Sequence, residues 1–242
     1  MNRKIGIIFA LALCCPLIVN ADSTNENSNK HNVRASLGEM DHQNHFRELV
    51  DNAAEVYSSV TNGSQGKLPA SVLKGARCIA VLPDVVTGAF ILGGTHGLGL
   101  ASCVDEKNVW SQPVPISLKQ GSIGLQAGAK STDLVLFFQS KDAVSALKAG
   151  NFALGTDISA VAGSYASNVD TSTSGVVVYS RTEGVFAGVS ISGSQIGKDE
   201  SDIQKYYGKS ANYRAILEGR ESPDTSGHTK KLTTLFPQYS NM

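Results

Sequence analysis

Residues 121–133 read Gly-Ser-Ile-Gly-Leu-Gln-Ala-Gly-Ala-Lys-Ser-Thr-Asp, and this run constrains the fold more than any other. In an extended chain, alternate side chains point to opposite faces. Ile123, Leu125, Ala127 and Ala129 then share one face, while Ser122, Gly124, Gln126, Gly128 and Lys130 share the other. One face is apolar and the other is nearly bare backbone. Glycine weakens a strand unless its missing side chain is used, so another element must approach the bare face closely. The pattern recurs at 97–104, where Leu98, Leu100 and Val104 oppose Gly97, Gly99, Ala101 and Cys103. It recurs again at 184–196, where Val185, Ala187, Val189 and Ile191 oppose Gly188, Ser190, Ser192 and Ser194.

The rest of the chain divides around this strand-rich middle. Arg3 and Lys4 precede an apolar run, Ile5 to Val19, that is short for a membrane span. Val19-Asn20-Ala21 places small residues where a signal peptidase reads, so residues 1–21 are expected to be a signal peptide cleaved after Ala21. Cys14 and Cys15 lack the small preceding residue of a lipobox. Residues 22–40 are rich in Asn and Ser and read as a flexible leader. Over 41–61 the stripe Phe46, Leu49, Val50, Ala53, Tyr57 and Val60 has helical spacing. Pro69 suits the start of a short helix to residue 75.

Strands are expected over 77–82, 86–94, 97–104, 113–118, 121–138, 152–161, 174–181 and 184–196. Short helices are expected at 141–148 and 199–206, with Gly208 ending the second. This is an α+β pattern: a mainly antiparallel sheet, or a partly closed barrel or sandwich, with an N-terminal amphipathic helix and short peripheral helices. The domain is placed at 41–208 and the remainder, 209–242, is read as a C-terminal extension.

Formal net charge is zero, with 21 basic and 21 acidic residues. That argues against nucleic acid, whose binders carry a basic footprint. Signal cleavage removes Arg3 and Lys4 and no acid, leaving a net charge of −2. It also leaves two of the four cysteines, Cys78 and Cys103, both in strand-like runs. An exported compartment permits a disulfide between them; two buried thiols acting as small hydrophobes is the other reading.

Catalytic patterns are sparse. Gly93-Gly94-Thr95-His96-Gly97-Leu98-Gly99 lies between strand runs rather than opening a helix, so a tight hairpin is expected there rather than a phosphate loop. Ser122 and Ser194 lack a Gly-x-Ser-x-Gly frame. Of five histidines only His96 lies in the strand-rich middle. His42 and His45 have a chelating spacing but no further ligand cluster. No cofactor or metal is expected, and no catalytic residue is assigned. Gln126, Asp133, Asp157 and Arg181 are candidates for a structural polar network, since a buried carboxylate must be paired or hydrogen-bonded.

Several segments carry a family resemblance when taken in order. They are Leu68-Pro69, then Ala76-Arg77-Cys78-Ile79-Ala80-Val81-Leu82-Pro83, then Gly88-Ala89-Phe90-Ile91-Leu92-Gly93-Gly94 with Gly97 and Gly99. Trp110-Ser111-Gln112-Pro113 and the 121–133 run follow. Leu154-Gly155-Thr156-Asp157 comes next, with Ala162-Gly163, then Tyr179-Ser180-Arg181 and Gly184-Val185-Phe186-Ala187-Gly188-Val189-Ser190. Over roughly 67–208 the chain resembles the SYLF lipid-binding domain, whose eukaryotic members are also described as actin-binding, and it reads as a bacterial, exported type.

The resemblance implies a membrane role, because eukaryotic members bind phosphoinositides through a basic amphipathic segment. Here the polar face of 41–61 carries Asp41, Glu48, Asp51 and Glu55 against Arg47, which argues against phosphoinositide specificity. Export makes actin an improbable partner. Phe46, Arg47, Trp110, Lys119 and Lys130 are the candidate lipid contacts. The expected function is non-catalytic lipid or membrane-surface binding in the periplasm, the outer envelope or outside the cell. The alternatives are a structural or protein-interaction module of the envelope and, more distantly, a hydrolase.

Overall fold

The computed structural model describes residues 23–62, 68–155, 161–162, 175–182, 193–224 and 226–239; for 23–39, 88–93, 122–130, 161–162 and 182 it describes the backbone alone. The chain divides into two units, 1–38 and 39–242. In the first, residues 23–38 are helical. The second holds the sheet and its helices.

Helix α1 runs Ser23–Asn62. From residue 41 onward it follows the expected stripe: Phe46, Val50, Ala53 and Tyr57 are buried, and Leu49 and Val60 are half-buried. The leader expected to be flexible from residue 22 is instead helical from Ser23. Once the packed turns exist, each added residue gains a hydrogen bond without a new nucleation cost, so a weak helix former can be recruited. The short helices α2 (Ala70–Gly75), α3 (Lys141–Lys148) and α4 (Glu200–Tyr207) fall where sequence places them. Ser140 caps α3 by accepting the Ala143 N–H, and Asp199 caps α4 through Asp202. Gly208, at φ 89°, stops α4. Helices α5 (Tyr213–Leu217) and α6 (Lys230–Thr233) complete the set.

The strands differ from expectation in length. Three expected strands merge into β1, Cys78–Cys103, and two into β2, Val114–Phe138. The glycine cluster at 93–99 lies inside β1 rather than in a tight hairpin turn. The two strands pair antiparallel from Cys78 opposite Phe138 to Ala101 opposite Val114, with register shifts at Leu82/Val85 and Ala89/Ile91. The first half of β2 also pairs with β6, Gln195–Lys198, which pairs with β3, Asn151–Ala153. The second half pairs with β5, Val176–Thr182. Strand β4, Val161–Ala162, adds to β5 in parallel, an exception to the antiparallel rule.

A straight strand of this length would hold its ends roughly 80 Å apart. In β1 they touch. Cys78 and Cys103 are joined in a disulfide, their Cα atoms 4.0 Å apart. Val104 N–H donates to the Arg77 carbonyl at 2.8 Å, and the Thr87 and Thr95 hydroxyls lie 3.0 Å apart. The strand is therefore doubled back on itself, and the long hairpin doubles with it. Glycine makes the contact possible. A methyl on Gly99 would stand 2.3 Å from the Val81 carbonyl, and one on Gly97 would stand 2.6 Å from Val85. The bare face anticipated at 97–104 is thus covered by the opposite half of its own strand. For 122–130 the side chains lie outside the described residues.

Both faces of the sheet are buried. Ile79, Val81, Leu100, Val135 and Phe137 pack under α1, α2 and the segment around α6. Ala80, Leu82, Ile116, Leu134 and Leu136 pack under α3, α4 and α5. Residues 209–239, expected to be an extension, belong to this core: Tyr213, Ile216 and Leu217 lie in one cluster, Leu232 and Phe236 in the other. These side chains are large enough to each gain about 1.5–3 kcal/mol on burial.

Two stability measurements test the doubled strand. Gly99→Ala should lower the urea midpoint by an equivalent of about 1–3 kcal/mol. Gly121→Ala, whose methyl meets nothing within 4 Å, should stay within about 0.5 kcal/mol. Equal midpoints would mean that the halves of β1 do not touch. A Cys78→Ala, Cys103→Ala double variant, which releases a 25-residue separation, should lose about 3 kcal/mol on the chain-entropy account, read as a lower calorimetric Tm.

Candidate binding surface

The strongest polar feature of the sheet forms where β1 bulges. Asp133 stands opposite Arg181 in the β2–β5 register. Its Oδ2 accepts from Arg181 Nε and from Arg181 Nη2, each at 2.7 Å. Its Oδ1 accepts the Asp84 N–H at 3.1 Å. Asp84 sits at the bulge with φ 52°, and its own Oδ1 accepts the Ser131 hydroxyl at 3.0 Å. One buried carboxylate therefore ties three strands together. Its oxygens are occupied by donors, which suits a structural node. Asp157, a further candidate for this network, and the side chain of Gln126 lie outside the described residues.

Reactive chemistry finds little support among the described residues. Ser194 is fully buried and its hydroxyl has no partner there. His42, His45 and His96 are exposed, while His228 lies 3.2 Å from Asp51. No group of three or more metal-ligating side chains gathers among them. Burial raises the Tyr179 hydroxyl to about 12 and pushes Tyr57 and Tyr213 up as well. All three stay protonated at neutral pH and act as packing groups.

The candidate lipid contacts separate. Phe46 is corrected by the structure: it is 4% exposed, stacked at 4.5 Å on Tyr206 and edge-on to Tyr207. Helix α1 spends its apolar stripe on its own domain, and Phe46 goes with it. The helix is also pinned from outside. Asp51 accepts from Lys231 at 2.8 Å, and that hydrogen bond holds its carboxyl below the usual range. Arg47 is exposed beside it. Lys119 is exposed on β2 between His96 and Gln195, its register partners on β1 and β6. The side chain of Lys130 lies outside the described residues.

Trp110 is half-buried at the turn between β1 and β2. Its Nε1 donates to the Pro237 carbonyl at 2.7 Å, and its ring packs on Phe236 and Tyr239. Tyr239 in turn donates to the Ala76 carbonyl and lies under the Arg77 guanidinium, 5.3 Å from ring centroid to Cζ. Beside this group Val109 is 58% exposed and Leu235 is 42% exposed. Sequence reasoning finds Trp110 but misses its companions. They come from a segment more than a hundred residues away, and no local spacing announces the pairing.

Asp133→Ala should cost about 1–3 kcal/mol, because it orphans the Asp84 N–H and unpairs Arg181. Arg181→Ala should cost less, since that side chain is 43% exposed and water replaces part of its role. Paired urea titrations check the order. No loss at Asp133 would remove it as a structural node.

The family model Ysc84, described as Las17-binding protein actin regulator, matches residues 119–238, running through the segment expected to be an extension. LAS seventeen-binding protein 3 of Saccharomyces cerevisiae is 30% identical over 169 residues, 66% of this chain and 37% of the relative. Protein YSC84 of the same yeast is 30% identical over 166 residues, 65% of this chain and 35% of the relative. SH3 domain-containing YSC84-like protein 1 of Homo sapiens is 29% identical over 164 residues, 65% of this chain and 48% of the relative. The chain thus spans less than half the length of each of these relatives. No solved structure matches. Across about two-thirds of its length, the chain resembles the SYLF, or Ysc84, family.

Proposed function

We propose that this chain is an exported, non-catalytic module that binds a lipid surface. The observation that carries the reading is the resemblance to a family of binding modules, joined to a sheet whose two faces are both filled by helices. Such a sheet leaves its outer surface for recognition. Among the described residues no helix is long and apolar enough to cross a membrane. The buried Cys78–Cys103 disulfide supports the export reading, since such bonds persist in oxidising compartments. So does the leader of Arg3, Lys4 and an apolar run ending in Val19-Asn20-Ala21.

A second reading is a protein-interaction module of the envelope. The names of the relatives favour it: one is named LAS seventeen-binding protein 3, and the family model is described as Las17-binding. Actin itself would not meet an exported chain. The two readings separate in one assay.

The protein, net −2 after cleavage after Ala21, should co-sediment with vesicles without requiring a phosphoinositide. Raising salt from low to physiological should change the bound fraction little, because Coulombic attraction is screened while apolar contact is not. Lys119→Ala should weaken binding only in part. Absence of binding to every headgroup, with a protein partner recovered by crosslinking, would replace the lipid reading by the interaction module.

A further inference from the structure

We propose that the corner built from the β1–β2 turn and the C-terminal segment is the surface that enters the lipid interface, with Val109 and Leu235 as its inserting tips. This rests on the lipid reading above and names the face that carries it. Among the described residues four large hydrophobic side chains are prominently exposed, and two of them, Val109 and Leu235, are the chain neighbours of Trp110 and Phe236, whose ring centroids lie 5.0 Å apart. The other two, Met40 and Val86, lie on other elements.

The corner is built to leave water. A chain segment entering an apolar medium must bring its backbone polar groups already bonded. The turn does so. Asp105 N–H donates to the Val109 carbonyl at 2.9 Å, and Asn108 N–H to the Asp105 carbonyl at 3.1 Å. The Asp105 carboxylate accepts the N–H groups of Lys107 and Val109, each at 2.8 Å. Asn108 takes φ 60°, a left-handed conformation that suits a tight turn. The aromatic floor is satisfied in the same way: the Trp110 indole N–H and the Tyr239 hydroxyl both donate to backbone carbonyls. Their rings offer apolar surface without an unmet donor.

Charge around the tips favours an anionic lipid surface. Lys74, Arg77 and Lys107 are exposed at its edge. Asp105 and Glu106 are the acids of the same turn, and Gly219, flanked by the paired Glu218 and Arg220, packs against Asp105, so four bases stand against three acids. Long basic side chains can keep their heads among phosphates while their stems lie along apolar surface. A rim this weakly charged adds selectivity for anionic lipid, while the tips supply most of the attraction.

The chain has one tryptophan, at the centre of this corner, so the test has a built-in reporter. The protein cleaved after Ala21 is mixed with vesicles of phosphatidylcholine containing a minority of phosphatidylglycerol, with and without bromine-labelled acyl chains. Trp110 emission should shift to the blue and be quenched by the brominated lipid. A Val109→Asp, Leu235→Asp double variant should keep its Tm, both side chains being exposed, and lose binding by about tenfold or more. Vesicle binding with Trp110 unquenched and the double variant unaffected would overturn this face and leave the lipid reading standing. No binding to any vesicle would overturn both. Binding lost in the double variant together with a lowered Tm would be decided by the quenching of the wild-type protein, which needs no substitution.

Discussion

The doubled-back β1 strand is the constraint on which the other contacts depend. Its two halves meet because glycine stands at 97 and 99, where any Cβ would strike Val85 or the Val81 backbone. The Cys78–Cys103 bond closes the loop so formed, and Arg77 with Val104 hydrogen-bonds beside it. Because β2 pairs along β1 and doubles with it, its two halves take different outer neighbours. One half is left to recruit β6 and β3, the other to recruit β5 and β4. A single hairpin thereby seeds the whole sheet, and its long-range pairings become local to one fold-back.

Two-sided burial follows from the same geometry. A sheet whose central strands carry apolar side chains on both faces needs cover on both, and neither the β1–β2 hairpin nor α1 supplies enough. The C-terminal segment is drawn in for this reason. Phe236 meets Tyr57 and Trp110, while Tyr213 donates its hydroxyl to the Leu147 carbonyl on the opposite side. A chain cut after residue 208 would expose Ile216, Leu217, Leu232 and Phe236's neighbours to water. The family match running to residue 238 agrees with the packing.

How much of this was legible in the sequence depends on range. The α1 stripe, the α3 and α4 spans and the Gly208 stop are local signals, read from 3.6-residue spacing and from Ser, Asp and Gly at helix ends. The alternation at 97–104 correctly demanded a close neighbour but could not say that the neighbour was the same strand. Glycine runs looked like breaks between strands, since glycine usually interrupts them. Here it permits bending without interruption, so five expected strands became two. The Asp133–Arg181 pairing joined two named candidates, yet its third member, Asp84, was hidden. Its role comes from a backbone N–H exposed by a bulge, which no residue type advertises. Trp110 could be picked out alone, but Tyr239 and Leu235 reach it only through the C-terminal fold-back.

The docking of α1 changes where recognition can occur. A helix that keeps its apolar stripe against Phe137, Tyr206 and Phe236, with Asp51 held by Lys231, offers the outside only its polar side. On that side Asp41, Glu48 and Glu55 are exposed, and acids are repelled by anionic headgroups. Using the stripe for lipid would require first undoing its burial, giving up the gain that each large apolar side chain makes there. The corner at Trp110 asks for no such rearrangement: its tips are already in water, and the Trp110 indole N–H and Tyr239 hydroxyl already donate to backbone carbonyls. Between a buried helix that must be released and an exposed corner that is ready, the smaller free-energy cost lies with the corner.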